Sequence, residues 1–466
     1  MLPNAVKAQD VAIKPQKDVY TIAFDSTYAP FEFQDVNGEY VGIDVDLIDA
    51  ITNMYGFKVN KIFPGFQAAV DQTLAGQADG IMAGMSITDE RKKVFDFADP
   101  YFETGIQMAV RADNVSIQKL EDLKGLRVGV KNGTIAQQWI TDNQEKYGYT
   151  VKTFDDGSAM YDALEIKDIQ AFMDASEVLN YAIAQGRDFK TPFDNIPVGS
   201  YGFAVKKGTH PELIAMFNSG LKKLKASGEY DRIVAKYMGG KKEVKKGVDE
   251  STFSGLITNN WKQLFDGLWK TILMALISFS LAMVLGTLIG LLSVAPSKAA
   301  RIFSTVYVDI IRGLPLMVLA FFLFYALPQA FPLLKMSDLV AGVLALTLNA
   351  SAYIAEIVRG GISAVPKGQM EASRSLGLSY SHTMQKIILP QAIKIMIPSF
   401  VNQFVISLKD TTIISVLGVI ELLQTGKIIV ARNFQSFKVY LIIGIMYLIV
   451  ITALTKLSKV LEKKVA

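Results

Sequence analysis

The sequence predicts an α/β soluble domain followed by an all-α membrane domain, and three observations predict that division. Residues 1–240 hold 25 Lys and Arg against 33 Asp and Glu, whereas residues 241–466 hold 23 against 11. Through the front half, short β-rich runs alternate with helical stretches. The back half contains charge-free runs of up to 27 residues, long enough to cross a membrane. An acidic front and a basic, apolar back suit two different solvents. The basic residues sit in short clusters flanking apolar runs, as the cytoplasmic bias of Lys and Arg predicts, and do not call for nucleic acid.

The chain has no cysteine, which excludes disulfides, thiolate metal sites and a Cys nucleophile. Histidine occurs only at His210 and His382, so neither a His-rich metal centre nor a His-based acid–base site is expected.

Residues 1–18 read as a residual signal or disordered N-terminus, because Val6-Lys7-Ala8 loosely fits a small-residue cleavage pattern. Residues 19–240 read as the soluble domain. Runs at 20–24, 80–83 and 126–130 are strand-like, and 44–55 and 159–167 are helical. Such alternation predicts mostly parallel sheets with ligands near the strand ends. Residues 241–260 read as a linker, opened by Gly239-Gly240. About fifteen flexible residues reach roughly 20 Å, which keeps the front domain close to the apolar half.

Residues 261–466 read as the membrane domain, with about five spans. Charge-free stretches cover 271–297, 313–334, 339–355 and 439–455, and a shorter one covers 395–408 before Lys409-Asp410. With the N-terminus outside, the inner segments hold twelve Lys and Arg and the outer ones six. The positive-inside bias therefore places the front domain outside and the C-terminus in the cytoplasm. Arg312, Glu356, Lys409 and Asp410 lie within or at the edges of apolar segments, where ionisable groups need a partner or a water-filled path.

The inner segment about 359–390 carries Glu371-Ala372-Ser373, then Gly377, then Ile388-Leu389-Pro390. Pro366, Gly368 and Gly377 punctuate it, so a short helix between them is expected. Nearby stand Arg312-Gly313-Leu314-Pro315-Leu316, Glu356-Ile357-Val358-Arg359-Gly360-Gly361 and Leu408-Lys409-Asp410-Thr411-Thr412. Together these resemble the polar amino-acid branch of type I ABC importer permeases, over essentially all of residues 260–466. The resemblance implies an EAA coupling helix, with Glu371, Ala372 and Gly377 as its coupling residues. It would dock on a separate cytoplasmic ABC ATPase dimer and transmit rigid-body closure to the spans.

The front domain carries Asp25-Ser26-Thr27-Tyr28-Ala29-Pro30-Phe31, Gly42-Ile43-Asp44, Ala78-Asp79-Gly80 continuing to Thr88-Asp89-Glu90-Arg91, and Asp99-Pro100-Tyr101. In this order they resemble the periplasmic-type amino-acid-binding proteins. That family implies two lobes closing on ligand, lobe 1 about 19–107 with 201–240 and lobe 2 about 108–200. By its pattern, Arg91 matches the residue for the ligand α-carboxylate, suited to a planar bidentate fork. Asp174 matches the carboxylate for the α-ammonium. Gly84 and Ser86 would add a carbonyl and a hydroxyl, Thr134 a second-lobe donor, and Tyr28 and Phe66 the rings around the side chain. Asp25 and Lys131 match positions at the ligand's far end in glutamine binders. Their opposed charges disfavour glutamate and arginine alike, which makes glutamine the first choice and asparagine the second. Ile135 departs from the pattern, standing where close glutamine binders have glycine.

A ligand-gated channel is the main rival. In such channels the spans interrupt the binding domain, whereas here it runs unbroken to Met238, and no Thr-Val-Gly-Tyr-Gly filter occurs. An ATPase of its own is not expected: Gly426-Lys427-Ile428 has Glu421 where a phosphate loop needs glycine and no Ser or Thr after the Lys. The expected assembly is an amino-acid importer in the cell membrane of a bacterium lacking an outer membrane. It contains a second copy of this chain, among membrane lipid, and an ATPase dimer that binds ATP and Mg; no cofactor is expected in this chain.

Overall fold

The computed structural model describes residues 14–35, 37–238, 250, 252–433 and 435–465. Of the expected signal, residues 1–13 lie outside these, as do residues 241–249 and 251 of the expected linker. The chain divides into two compact units, whose longest stretches are residues 1–248 and 249–427.

Among the described residues, the first unit is built on two main sheets and a two-stranded one, Phe33–Gln34 with Tyr40–Val41. In lobe 1 the strand order is Lys58–Ile62, Val19–Ala23, Gly80–Ile81, Ala204–Lys206, Phe95–Phe97. Val19–Ala23 is parallel to both neighbours, and Ala204–Lys206 runs antiparallel to both of its own. Tyr20, Ile22 and Phe24 are fully buried beside Ile43 and Leu47 from the helix Ile43–Tyr55 and Met216 and Phe217 from the helix Pro211–Ser227. Burying such rings and branched chains is the main stabilising term of the lobe.

In lobe 2 the order is Phe189–Lys190, Phe102–Arg111, Ala171–Ala175, Arg127–Lys131, Thr150–Phe154. Ala171–Ala175, Arg127–Lys131 and Thr150–Phe154 are mutually parallel. Val128, Val130, Ile106 and Ile140 centre its core.

Two strands cross between the lobes, Phe102–Arg111 and Ile196–Tyr201, paired antiparallel with Tyr201 opposite Phe102 and Gly199 opposite Thr104. The boundary read from the sequence near 107 falls within the first of these strands. Phe102–Arg111 is one continuous strand that already pairs with lobe 2 strands from Ile106 onward.

Among its described residues, the second unit contains four helical segments long and apolar enough to span a membrane: Phe253–Ser293, Asp338–Ala364, Tyr380–Leu417 and Ser436–Lys456. A fifth segment is a pair, Lys298–Gly313 and Leu316–Ala330, bent by 100°. The span read over 313–334 is therefore only the second arm of this pair. The break falls at Leu314, which is extended (φ −94°, ψ 131°) because it precedes Pro315. The first helix begins at Phe253, inside the stretch read as linker, with the Thr252 hydroxyl capping it through the Gly255 amide.

Phe253–Ser293 packs on Asp338–Ala364 through Gly286 and Gly290, four residues apart. A Cβ at Gly286 would stand 2.5 Å from the Ser351 carbonyl oxygen, and one at Gly290 would stand 2.6 Å from Val358. Small residues at this spacing let helix backbones approach closely in lipid.

Candidate functional site

Between the lobes lies a cleft lined by Asp25, Tyr28, Phe66, Gly84, Ser86, Arg91, Lys131, Thr134 and Asp174. These are the nine residues singled out in the sequence, drawn from positions 149 residues apart, from Asp25 to Asp174. Most sit just past or at the carboxyl ends of strands. Asp25 follows Val19–Ala23, Gly84 and Ser86 follow Gly80–Ile81, Lys131 ends Arg127–Lys131 and Asp174 lies in Ala171–Ala175. Strand ends expose side chains where backbone pairing stops, so a parallel sheet collects them there.

The Arg91 guanidinium donates to the Ser86 carbonyl (2.9 Å) and, across the cleft, to the Gly133 carbonyl (2.8 Å). It lies over the Phe66 ring at 5.4 Å, a cation–π placement. Asp174 is buried and accepts from the Tyr161 hydroxyl (2.7 Å) and the Ala175 amide (2.8 Å). Burial raises its carboxyl above the usual range against these hydrogen bonds, so a cationic partner would favour its charged form.

Lys131 donates to Asp25 at 2.6 Å, and the two are 5% and 1% exposed. Burial opposes the Lys131 charge, but Asp25, with Asp174 and Asp156, offsets it and raises the ammonium group. The Lys131 ammonium also stands over Tyr28 (5.4 Å) and Phe66 (5.8 Å).

Thr134 caps the helix Ile135–Tyr147. It accepts from the Gln137 amide (3.2 Å), and its single proton goes to the Lys131 carbonyl (2.8 Å). The proton expected of Thr134 as a second-lobe donor is thus spent on its own lobe, and the hydroxyl fixes the wall instead. Gly84 adopts φ +53°, and its amide donates to the buried Asp44. A Cβ there would stand 2.2 Å from the Tyr28 ring.

The cleft also takes in Thr104, Ile106, Ile135 and Tyr201. Sequence reasoning reached Ile135 but not Thr104 or Tyr201. Those two are brought together only by the antiparallel pairing of the crossing strands, which no local pattern announces.

In the second unit, the short helix expected between Pro366 and Gly377 is Lys367–Ser375, with Gly377 left-handed at φ +84°. Glu371 and Ala372 are exposed on it, and Ser373 is buried with its hydroxyl on the Gln369 carbonyl. Leu376 beside them is 83% exposed. Glu356 receives a bidentate pair from Arg359 (3.0 and 2.7 Å), with Arg312 3.9 Å away and over Tyr353. Asn349 donates to Asp410 at 3.5 Å. Glu421 accepts the amides of Leu423 and Gln424 and the Tyr447 hydroxyl, which makes it a helix-capping residue.

Residues 20–240 match the model of bacterial extracellular solute-binding proteins, family 3, and residues 279–466 match the binding-protein-dependent transport system inner membrane component. A relative from Bacillus subtilis (strain 168), named "Probable glutamine ABC transporter permease protein GlnM", is 36% identical over 209 residues. The match covers 45% of this chain and 96% of that protein. The glutamine transport system permease protein GlnP of Escherichia coli (strain K12) is 35% identical over 201 residues, covering 43% of this chain and 92% of that one. A crystal structure of substrate-binding domain 2 of Lactococcus lactis GlnP, in open conformation, is 52% identical. It covers 49% of this chain and 99% of that one, with a TM-score of 0.39.

Proposed function

The chain belongs to the family of binding-protein-dependent transport system inner membrane components, with a family 3 solute-binding domain fused in front, and from that premise we propose that it imports glutamine. It is a multi-pass membrane protein of an amino-acid ABC importer. The glutamine assignment is supported by one observation above the others. Arg91, Asp174 and the Asp25–Lys131 pair line a single cleft, offering a fork for an α-carboxylate, a carboxylate for an α-ammonium, and opposed charges for a neutral amide. Asparagine, with the same groups on a shorter stem, is the second choice. The glutamine-permease relatives agree with this reading.

In the proposed cycle, Arg91 and Asp174 hold the two charged ends of the α-carbon, while Tyr28 and Phe66 enclose the side chain. Asp25 accepts from the amide NH₂. Gly84 and Ser86 supply further polar contacts from lobe 1, and Thr134 shapes the wall of lobe 2. The loaded domain faces outward, as the excess of Lys and Arg in the opposite loops supports. Tethering holds it near the gate at roughly millimolar effective concentration.

A separate ATPase dimer binds ATP and Mg and docks on the exposed helix Lys367–Ser375, where Glu371, Ala372 and Gly377 couple it to the spans. The chain itself needs no cofactor. Two copies of the chain complete the path, as a closed two-fold assembly requires the fewest distinct contacts. A ligand-panel thermal-shift assay on the full chain tests the assignment. Glutamine should give the largest stabilisation, and a larger shift from arginine or glutamate would refute it.

A further inference from the structure

A chain of hydroxyl groups leads from the cleft into the hinge. Tyr28 Oη lies 2.8 Å from Tyr201 Oη, Tyr201 Oη lies 3.0 Å from Thr104 Oγ1, and Thr104 Oγ1 lies 3.0 Å from Glu177 Oε2. Tyr28 belongs to lobe 1, and Glu177 to the lobe 2 helix Ser176–Ala184. Thr104 and Tyr201 sit on the two crossing strands themselves.

The Thr104 hydroxyl faces two acceptors, Glu177 and the Tyr201 hydroxyl, and its one proton serves one of them at a time, while either phenol can donate in the Tyr28–Tyr201 pair. Burial raises both phenols, which keeps their protons in place. Tyr201 and Thr104 are buried, so no water readily substitutes for a broken link. Phe31 packs edge-on against both Phe102 and Tyr201, leaving little lateral freedom.

Resting on the reading that Tyr28 meets the ligand, we propose that Tyr201 and Thr104 are positioning residues of closure. They tie the Tyr28 ring in lobe 1, through both hinge strands, to Glu177 in lobe 2. Rotation of one lobe about these strands alters the Thr104 distances, so the chain is complete only at one interlobe angle. A ligand that holds the Tyr28 ring favours that angle.

The test uses the full chain in nanodiscs. Because it lacks native cysteine, dyes can be placed through Met54→Cys on lobe 1 and Val115→Cys on lobe 2, both exposed positions. Interlobe distance and affinity are then read while glutamine and a panel of other amino acids are titrated. Thr104→Val keeps the shape and removes the hydroxyl. It should lower affinity about tenfold and reduce the closed fraction at saturation, while Thr104→Ser restores both. Tyr28→Phe combined with Thr104→Val should lose no more than the worse single variant. An unchanged closed fraction and affinity in Thr104→Val, or losses that multiply in the double variant, would overturn the relay. A chain that closes on a different amino acid overturns the glutamine assignment alone, because the Thr104 variants are then compared with that ligand. Closure on none of them overturns both.

Discussion

The Lys131 ammonium and the Asp25 carboxylate meet at 2.6 Å from opposite lobes, with both side chains buried. Two charges removed from water gain little net stability from each other, yet each becomes costly when the other is lost. A ligand with a charged end must place a like charge beside one of them. Glutamate would approach Asp25 and arginine would approach Lys131. Asp25→Asn should therefore weaken glutamine binding by about 3 kcal/mol, roughly a hundredfold, through the stranded ammonium. It should also improve glutamate relative to glutamine. Combining it with Lys131→Met should recover part of the glutamine loss. Calorimetric titration with both amino acids checks each statement.

Gly84 shows how tightly the wall of the cleft is drawn. Its φ of +53° suits glycine, and an added Cβ would come 2.2 Å from Tyr28. Gly84→Ala should displace the Tyr28 ring and reduce glutamine affinity by at least tenfold. Loss of domain stability should stay within about 1–3 kcal/mol. Parallel titration and thermal unfolding separate the two effects, and unchanged affinity would show that the ring does not contact ligand.

Much of the cleft and of the exposed helix Lys367–Ser375 is legible in the sequence. The residues carried by local motifs, such as Arg91 after Thr88-Asp89-Glu90 or Gly377 after Glu371-Ala372, keep their sequence neighbourhoods on folding. The Pro366–Gly377 helix follows from its punctuation, because proline and glycine act on their own backbone. Thr104 and Tyr201 are not legible, since their meeting depends on the register of two strands 97 residues apart. The bent pair at Leu314 escapes for another reason. Hydropathy averaged over 313–334 is uniform, whereas the break is set by one steric effect of Pro315 on its predecessor.

A buried carboxyl group beneath the cleft makes a prediction about pH. Asp44 is fully buried, accepts from the Gly84 amide and the Tyr101 hydroxyl, and is raised by burial from 3.8 to about 6. Glu32, buried beside it, is raised further by burial and by Asp44. Between pH 4 and 6 the folded domain holds a proton that the unfolded chain releases. This group's contribution is thus complete below about 3.8 and is lost as pH rises through about 6. A rise from 3.8 to about 6 corresponds to about 3 kcal/mol. Carboxylates lowered by partners, such as Asp79 and Asp168, act in the opposite sense, so the comparison with Asp44→Asn isolates the effect. The stability of the unsubstituted chain relative to that variant should fall between pH 4 and 7. A constant difference in denaturant midpoints would refute the assignment.

In the second unit, Gly286 and Gly290 bring two apolar helices into backbone contact. Gly286→Leu would push side-chain carbons into the Ser351 carbonyl and Ile354, both within 2.7 Å of the first added atom. The expected cost is about 1–3 kcal/mol, with lower thermal stability in detergent. Gly444, with no neighbour near its Cβ position, supplies the control. Gly444→Ala should leave stability within about 0.5 kcal/mol.

The coupling role proposed for the helix Lys367–Ser375 predicts that coupling and binding can be lost separately. Glu371 and Ala372 are exposed, and Gly377 turns the chain at φ +84° with nothing near its Cβ position. Gly377→Ala therefore meets no neighbour but carries about 1 kcal/mol of backbone strain, which would tilt the end of the helix. Glu371→Ala removes an exposed carboxylate and should leave folding unchanged within about 0.5 kcal/mol. In vesicles containing this chain and the proposed ATPase partner, both variants should lose glutamine-stimulated ATP hydrolysis by about tenfold or more. A 1 Å misplacement can cost far more than its strain energy when rigid elements must align. Glutamine affinity should stay within twofold of the unsubstituted chain, because the cleft and the helix lie in different units. A parallel fall in affinity and in stimulated hydrolysis would show instead that the two units do not act as separate modules.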